Sequence, residues 1–230
     1  MWIMRTFAIG DIHGCHTALT TLLGRVRPAV EDRVVFLGDY IDRGPDSRSV
    51  LDRLVSLGDW CEPVFLRGNH EVMILKARTD PLDANGWRSC GGFEALVSYG
   101  AEFRTDWATT IPAAHWQFLE QTVPFFETAK QIFVHGCLDP DLDMAEQSEW
   151  LLYWENFGRM KPHKSGKKIF CGHTPQRSGI INDIGYAACI DTGAAVGGWL
   201  TCLDVDSGEY WQANEKGETR MGKTVRASAK

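Results

Sequence analysis

Six short apolar runs in this 230-residue chain each stop at a Gly, Asp, Asn or His: RTFAIGDIHG, RVVFLGDYIDRG, PVFLRGNHE, QIFVHG, KIFCGHT and ACIDTG. Apolar runs of this length, bounded by turn residues, read as buried strands. The chain therefore delivers carboxylates, imidazoles and an amide repeatedly to strand ends. The first three runs carry Asp11, His13, Asp39, Asp42, Arg43, Arg67, Asn69 and His70; the next two add His135 and His173; the sixth ends on Asp191. A single metal site assembled from strand ends is the simplest arrangement that uses them all.

The intervals between the runs set the local structure. Thr6 to Ile9 reads as a strand, His16 to Val26 places Leu19, Leu22, Leu23 and Val26 at helical spacing, and Val34 to Leu37 reads as a second strand. Asp46 to Leu57 repeats the helical pattern through Val50, Leu51, Leu54 and Leu57, and Pro63 to Leu66 supplies a third strand. Helices alternating with continuous apolar strands predict an α/β fold with a largely parallel, covered sheet. Such sheets bind ligands beyond the carboxyl ends of their strands. Between Arg78 and Lys130 aromatic residues fall at helical spacing and no run ends in a polar motif. Residues 78–130 are thus expected to form a mostly helical insertion with Trp87, Phe93, Tyr99, Trp116, Phe118, Phe125 and Phe126 as its core. Strands return from Gln131, and Ala187–Ile190, Trp199–Val205 and Gly208–Trp211 predict a closing antiparallel stretch with a turn at Asp206-Ser207-Gly208. One domain is expected over residues 1–212, with the polar, Gly-interrupted residues 213–230 as a flexible tail.

Composition excludes several classes. A net charge of -6 provides no overall attraction to nucleic acid or to an anionic membrane. No stretch reaches the roughly 18 uninterrupted apolar residues of a membrane span. Seven cysteines without a C-x-x-C pair fit free thiols in a reducing compartment. The first run begins at Arg5, which leaves no room for a cleavable signal segment, and the expected setting is cytoplasmic.

Asp, His and Asn together offer oxygen and nitrogen donors without thiolates, a set that suits Mn, Fe, Zn or Co in an open catalytic site. Asp11 and His13 can converge on one ion, Asp39 can bridge to a second, and Asn69, His135 and His173 complete that second site. Two such ions acidify a shared water and balance charge in an in-line displacement at phosphorus. Arg43 and Arg67 argue for a phosphoryl substrate, because a guanidinium fork matches two phosphate oxygens. His70 follows Asn69 and is expected to protonate the leaving oxygen, with Asp42 orienting its ring. The chain has no G-x-S-x-G elbow. His16, His115 and His163 lie outside the motifs and are expected to be surface or satisfied residues. Cys15 and Cys137 flank ligand motifs, which raises oxidation sensitivity against the simpler reading of inert thiols.

The series GDIHG, GDYIDRG, RGNHE, VHG and GHTP closely resembles the phosphoprotein phosphatase family of metal-dependent serine/threonine phosphatases, in its compact bacterial and bacteriophage branch. The resemblance spans about residues 5–212 and extends to GWRSCGGFEALVSYG and IDTGAAVGGWLTCLDVDSGE. It implies a calcineurin-like metallophosphoesterase fold, a central β-sandwich flanked by helices, with a dinuclear centre usually active with Mn. It also implies which ligand serves which ion: Asp11, His13 and Asp39 the first, Asp39, Asn69, His135 and His173 the second. Arg43 and Arg67 then bind phosphate, and Asp42 with His70 handles the proton. Two departures stand out. His135-Gly136-Cys137 replaces a common HGG, and the segment LLYWENFGRM lacks the third phosphate-binding arginine of bacterial relatives, leaving Arg159 as the candidate substitute.

The expected activity is hydrolysis of phosphomonoesters, foremost phosphoserine and phosphothreonine in proteins, with phosphotyrosine or a small phosphoester as further substrates. The alternative is symmetrical hydrolysis of dinucleoside polyphosphates such as diadenosine tetraphosphate, whose enzymes share the scaffold but resemble GD-x-x-ARG where this chain has Asp42 in a DRG motif. A non-catalytic interaction module is the third reading, and the full set of ligands with His70 argues against it. The sixth run has no catalytic assignment; Asp191 is expected to secure a turn beside the site.

Overall fold

The parallel strands form as expected but divide between two sheets. The structure, a computed structural model, describes residues 4–224. β1 (Thr6–Ile9), β2 (Arg33–Phe36) and β3 (Glu62–Phe65) run parallel, linked by α1 (His16–Val26) and α2 (Ser47–Val55). α1 buries Leu19, Leu22 and Leu23, and α2 starts where the Asp46 carboxylate accepts the Ser49 N–H at 2.9 Å. α3 (Asn69–Ala77) leads into the insertion, which contains α4 (Pro81–Trp87), a wide turn over Arg88–Gly92, α5 (Phe93–Ser98) and α6 (Ala113–Gln121). Trp87, Trp116 and Phe118 form part of the core as expected, whereas Phe93 is exposed.

A second parallel set, β5 (Gln131–Val134), β6 (Lys168–Cys171) and β8 (Ala187–Cys189), builds the other sheet, edged by β4 (Phe125–Glu127) and β7 (Asn182–Asp183). β4 is the one strand inside the region expected to be helical, and it pairs antiparallel with β5. The first sheet is extended by β9 (Leu200–Asp204), β10 (Glu209–Ala213) and β11 (Thr219–Lys223), giving the order β11-β10-β9-β1-β2-β3.

Period-two alternation makes the sandwich. Ala8, Val35 and Leu203 of the first sheet pack against Phe133, Phe170 and Ala188 of the second, with Phe133 and Phe170 stacked at 5.5 Å. The alternate residues Phe7, Ile9, Val34 and Phe36 face α1 and α2, while Ile132, Val134, Ile169 and Cys171 face α7 (Glu149–Trp154) and the loop after it. Burial on both faces explains why the strands read as unbroken apolar runs.

The chain end differs from expectation. Residues 213–224 are not a flexible tail: β11 pairs with all of β10, and Arg220 donates to Gln212 Oε1 and Gly179 O, both at 2.6 Å. The domain therefore runs at least to Lys223. As an exposed edge strand, β11 carries charged and polar side chains, and its composition imitates disorder. Residues 225–230, also assigned to that tail, lie outside the described residues.

Candidate metal centre

Six parallel strands, three per sheet, end at the same rim, and their loops are tied to one another. Gly38 has φ 97°, and a Cβ there would stand 2.6 Å from the Gly68 nitrogen, so the loops after β2 and β3 meet backbone to backbone. Glu71 holds both: its buried carboxylate accepts N–H bonds from Asp39 (2.8 Å), Tyr40 (2.9 Å) and Gly68 (2.9 Å). The loop after β1 joins them through His13 N–H to Asp39 O at 2.8 Å. His173, after β6, donates its N–H to Asp11 Oδ2 at 3.0 Å. Of the six non-glycine residues with positive φ among the described residues, five are His13, Asp39, Asp42, Arg43 and His173. Each such residue costs about 1–3 kcal/mol, so their concentration marks a site whose geometry is imposed by its surroundings.

The imidazoles are oriented by backbone carbonyls. His13 Nδ1–H donates to Ile41 O at 2.9 Å, His135 Nδ1–H to Leu37 O at 2.8 Å, and His173 Nε2–H to Trp154 O at 3.1 Å. Each neutral ring thereby commits its one proton and turns an unprotonated nitrogen inward. Asp39 stands between them, with Oδ2 3.4 Å from His13 Nε2 and Oδ1 3.4 Å from His135 Nε2. Asn69 Oδ1 lies 3.0 Å from both His135 Nε2 and His173 Nδ1. Two donor groups share Asp39: one with His135 and His173, the other with His13 and His70, with ligand atoms in each group within 4.8 Å of one another. In the second of these, His70 stands where Asp11 was expected. Asp11 accepts the His173 amide N–H and is repelled by the carboxylates of Asp191 and Asp39.

Electrostatics favour a cation here. Burial lowers His13 to about 3 and His135 to about 4, and it lowers His173 as well, so all three rings are neutral, the form a metal ion would need. Burial works against an ionised Asp39, yet it lies below the usual carboxylate range; with His13, His135 and His173 neutral, His70, itself raised, is the imidazole whose charge favours it. Burial, then the carboxylates of Asp191 and Asp39, pushes Asp11 well up, and burial raises Asp191 to about 7. Inward lone pairs and mutually repelling carboxylates are the surroundings that divalent cations relieve, and the residues fit such ions. Asp191 also accepts the Gly193 N–H at 3.0 Å, so it does secure the turn after β8.

Beside the donors lies a buried acid pair. His70 Nδ1–H donates to Asp42 Oδ2 at 2.7 Å, and both side chains are fully buried. His70 Nε2 and Asp42 Oδ1 have no hydrogen-bond partner. Burial alone would lower His70, but Asp39 and Asp42 raise it overall; burial raises Asp42. Asp42 Oδ2 also accepts the Trp87 indole N–H at 2.7 Å. The position of Trp87 at helical spacing indicated only a core residue, as Glu71 indicated only the end of a motif.

The two arginines are not equivalent. Arg43 is exposed and reaches the site, with Nη1 3.1 Å from His13 Nε2. Arg67 is tied to the end of α6, through Nε to Thr122 Oγ1 (2.9 Å) and Nη2 to Glu120 O (2.8 Å) and Thr122 O (3.0 Å). Its fork is thus largely committed to protein, and Nη1 is the donor left over. Arg159 is exposed in the turn Phe157–Arg159 and bonds to no site residue. His16, His115 and His163 lie outside the donor groups, each with a local partner: Thr20, Asp52 and Ser165 respectively. Burial raises the thiols of Cys15, to about 12, and of Cys137, which packs against Met160.

The fold and this rim of donors agree with comparison to known proteins. The model of the calcineurin-like phosphoesterases matches residues 4–201. The chain belongs to that family. As a metallophosphoesterase it is a phosphohydrolase, and a relative supports its place among the phosphoprotein phosphatases. Serine/threonine-protein phosphatase 1 of Salmonella typhimurium is 32% identical over 213 residues, 85% of this chain and 89% of that protein. The symmetrical bis(5'-nucleosyl)-tetraphosphatase of Burkholderia thailandensis is 31% identical over 138 residues, 60% of this chain and 44% of that protein. A crystal structure provisionally named as a diadenosine tetraphosphatase shares the fold, with a TM-score of 0.64 at 20% identity over 97% of this chain and 95% of that one. No helix among the described residues is long and apolar enough to cross a membrane.

Proposed function

We propose that this metallophosphoesterase hydrolyses phosphomonoesters with two divalent ions, Mn foremost, and that its substrates are phosphoserine and phosphothreonine in proteins. The observation that carries the reading is the buried pair of His70, which belongs to one donor group, and Asp42, with His70 Nε2 unpartnered. Asp11, His13 and Asp39 would hold one ion, and Asp39, Asn69, His135 and His173 the other. Bound there, the ions would supply Lewis acidity to a water and charge to the phosphate. Arg43 binds phosphate from the open side and Arg67 contributes its remaining donor. As water attacks phosphorus in line, the bond to the alcohol oxygen breaks, and that oxygen keeps the electron pair and takes the proton of His70 Nε2. Asp42 stabilises the imidazolium that holds this proton beforehand. The proton lost by the attacking water returns His70 to its starting state.

The substrate choice rests on two supports. The phosphatase relative aligns along most of both chains, whereas the tetraphosphatase relative aligns over less than half of its own length. The DRG motif places Asp42 in contact with His70, an aid to a basic alkoxide leaving group that a polyphosphate leaving group needs less. A cytoplasmic setting fits the seven cysteines, all of them free thiols. One metal-loaded preparation assayed side by side on a phosphoserine peptide, an aryl phosphate and diadenosine tetraphosphate tests the reading. A kcat/KM highest for the phosphopeptide is expected; a preference for diadenosine tetraphosphate would replace the phosphatase reading with the polyphosphate one.

A further inference from the structure

The insertion between α3 and β4 touches the catalytic loop at two consecutive residues. Gly91, with φ 115°, accepts the Arg43 N–H at 3.0 Å, and a Cβ on it would meet Arg43 Cγ at 2.6 Å. Four residues earlier, the last residue of α4 sends its indole N–H to Asp42 Oδ2 at 2.7 Å. Asp42 and Arg43 both have positive φ, at 74° and 66°, so the insertion braces a strained dipeptide. The indole is 1% exposed and is held by Trp107 at a centroid distance of 5.0 Å and by Gly92, where a Cβ would stand 2.4 Å from the ring.

We propose that Trp87 is a positioning residue for the proton donor: its indole N–H fixes which oxygen of Asp42 faces His70, and through it the direction of His70 Nε2. The carboxylate has two oxygens, yet Oδ2 receives both N–H groups while Oδ1 receives none. A carboxylate with one donor can rotate and exchange its oxygens. With two donors fixed on one oxygen, from different elements, rotation breaks both bonds at once. Because Asp42, His70 and Trp87 are all buried, no solvent molecule stands ready to replace a lost donor. The role is one of aim, since Trp87 touches neither substrate nor the donor groups. It rests on His70 being the proton donor.

That dependence sets the test. An alkoxide leaving group needs a proton in the transition state, whereas 4-nitrophenolate departs without one, so loss of aim harms the first substrate class selectively. Wild type, His70→Asn, Trp87→Phe and Trp107→Phe are compared on a phosphoserine peptide and on 4-nitrophenyl phosphate, with bound metal counted in each. Trp87→Phe keeps an aromatic ring and removes the donor; it is expected to lower kcat for the phosphopeptide about tenfold, part of the range a general acid supplies. For 4-nitrophenyl phosphate it should change kcat by less than about twofold, because the proton is not needed there. KM and metal content should hold. Trp107→Phe disturbs the packing and leaves the N–H, so it is expected to show no such selectivity. Equal losses on both substrates in Trp87→Phe, or none, overturn the inference. If His70→Asn loses both substrates equally, the proton-donor reading falls and the inference with it; if His70→Asn is selective and Trp87→Phe is not, the inference alone falls. Should Trp87→Phe fail to fold, the indole N–H resonance of Trp87 decides: it should lie downfield in wild type and move upfield in Asp42→Asn, and an unmoved resonance overturns the inference.

Discussion

His135 Nε2 faces His173 Nδ1 across 3.2 Å. Each ring has given its one proton to a backbone carbonyl on its far side, so the facing nitrogens are both lone pairs. An extra proton between them would make a buried imidazolium, which burial opposes at His135 by lowering it to about 4. A divalent ion would satisfy both nitrogens together with Asp39 and Asn69. Chelation should therefore abolish activity and lower Tm by roughly 5–10 °C, the size expected when a ligand present at many times its Kd is removed from a domain of this length. Adding Mn should restore both. Metal-depleted protein, verified by elemental analysis, that keeps its activity and Tm would end the dinuclear proposal.

Glu71 is the strut under the same donor groups. Its carboxylate accepts three N–H groups from the Asp39 and Gly68 loops, and burial, then the charge of Asp39, raises it to about 7. Glu71→Gln keeps the shape but sets an amide N–H2 against a backbone N–H. A buried mismatch of this kind costs about 1–3 kcal/mol. The variant should unfold at lower temperature and lose metal to a chelator faster than wild type. Unchanged Tm and unchanged metal content would show that the loops hold without it.

Arg43 and Arg67 should separate in their mutants. Arg43 is exposed and reaches His13, whereas Arg67 bridges β3 to the end of α6 through Glu120 and Thr122. Arg43→Ala is expected to lower kcat/KM for an aryl phosphate by about 100-fold, the scale of removing one transition-state charge contact, with Tm nearly unchanged. Arg67→Ala should lower both kcat/KM and Tm. Equal stability losses in the two variants would remove the distinction.

What could be read in advance followed chain adjacency. Asp11, Asp39, Asn69, His135 and His173 each lie just after an apolar strand, so strand prediction and ligand prediction were one inference. The contacts that aim those side chains are different in kind. Trp87 meets Asp42 from 45 residues away, and the carbonyl that orients His173 belongs to Trp154, at the end of α7. No local periodicity encodes such pairings, because they arise only when the insertion and α7 pack on the rim. The division of the parallel strands between two sheets was hidden for a related reason: β1 and β6, buried on both faces, have the same apolar character although they lie in opposite layers. β11 was hidden by the reverse effect, since an edge strand reading Thr-Arg-Met-Gly-Lys shows too little apolar alternation to be recognised.

His115 provides a pH signature that is independent of the metals. It is 2% exposed in α6, with Nδ1 2.8 Å from the Tyr99 hydroxyl and Nε2 3.0 Å from Asp52 Oδ1. Burial lowers it, Asp52 opposes that, and Arg48 adds to it, for a net lowering from the ordinary value of 6.5. Between that value and the lower one in the folded protein, the unfolded chain binds the additional proton. Stability should therefore fall as pH drops through 6.5, and level off for this group once the folded value is passed. His115→Gln removes the proton site, so the fall in Tm between about pH 7 and pH 5.5 should be shallower than in wild type. Measuring both proteins free of metal and comparing their slopes cancels the titration of the carboxylates they share. Parallel slopes would show that His115 takes up its proton as readily folded as unfolded.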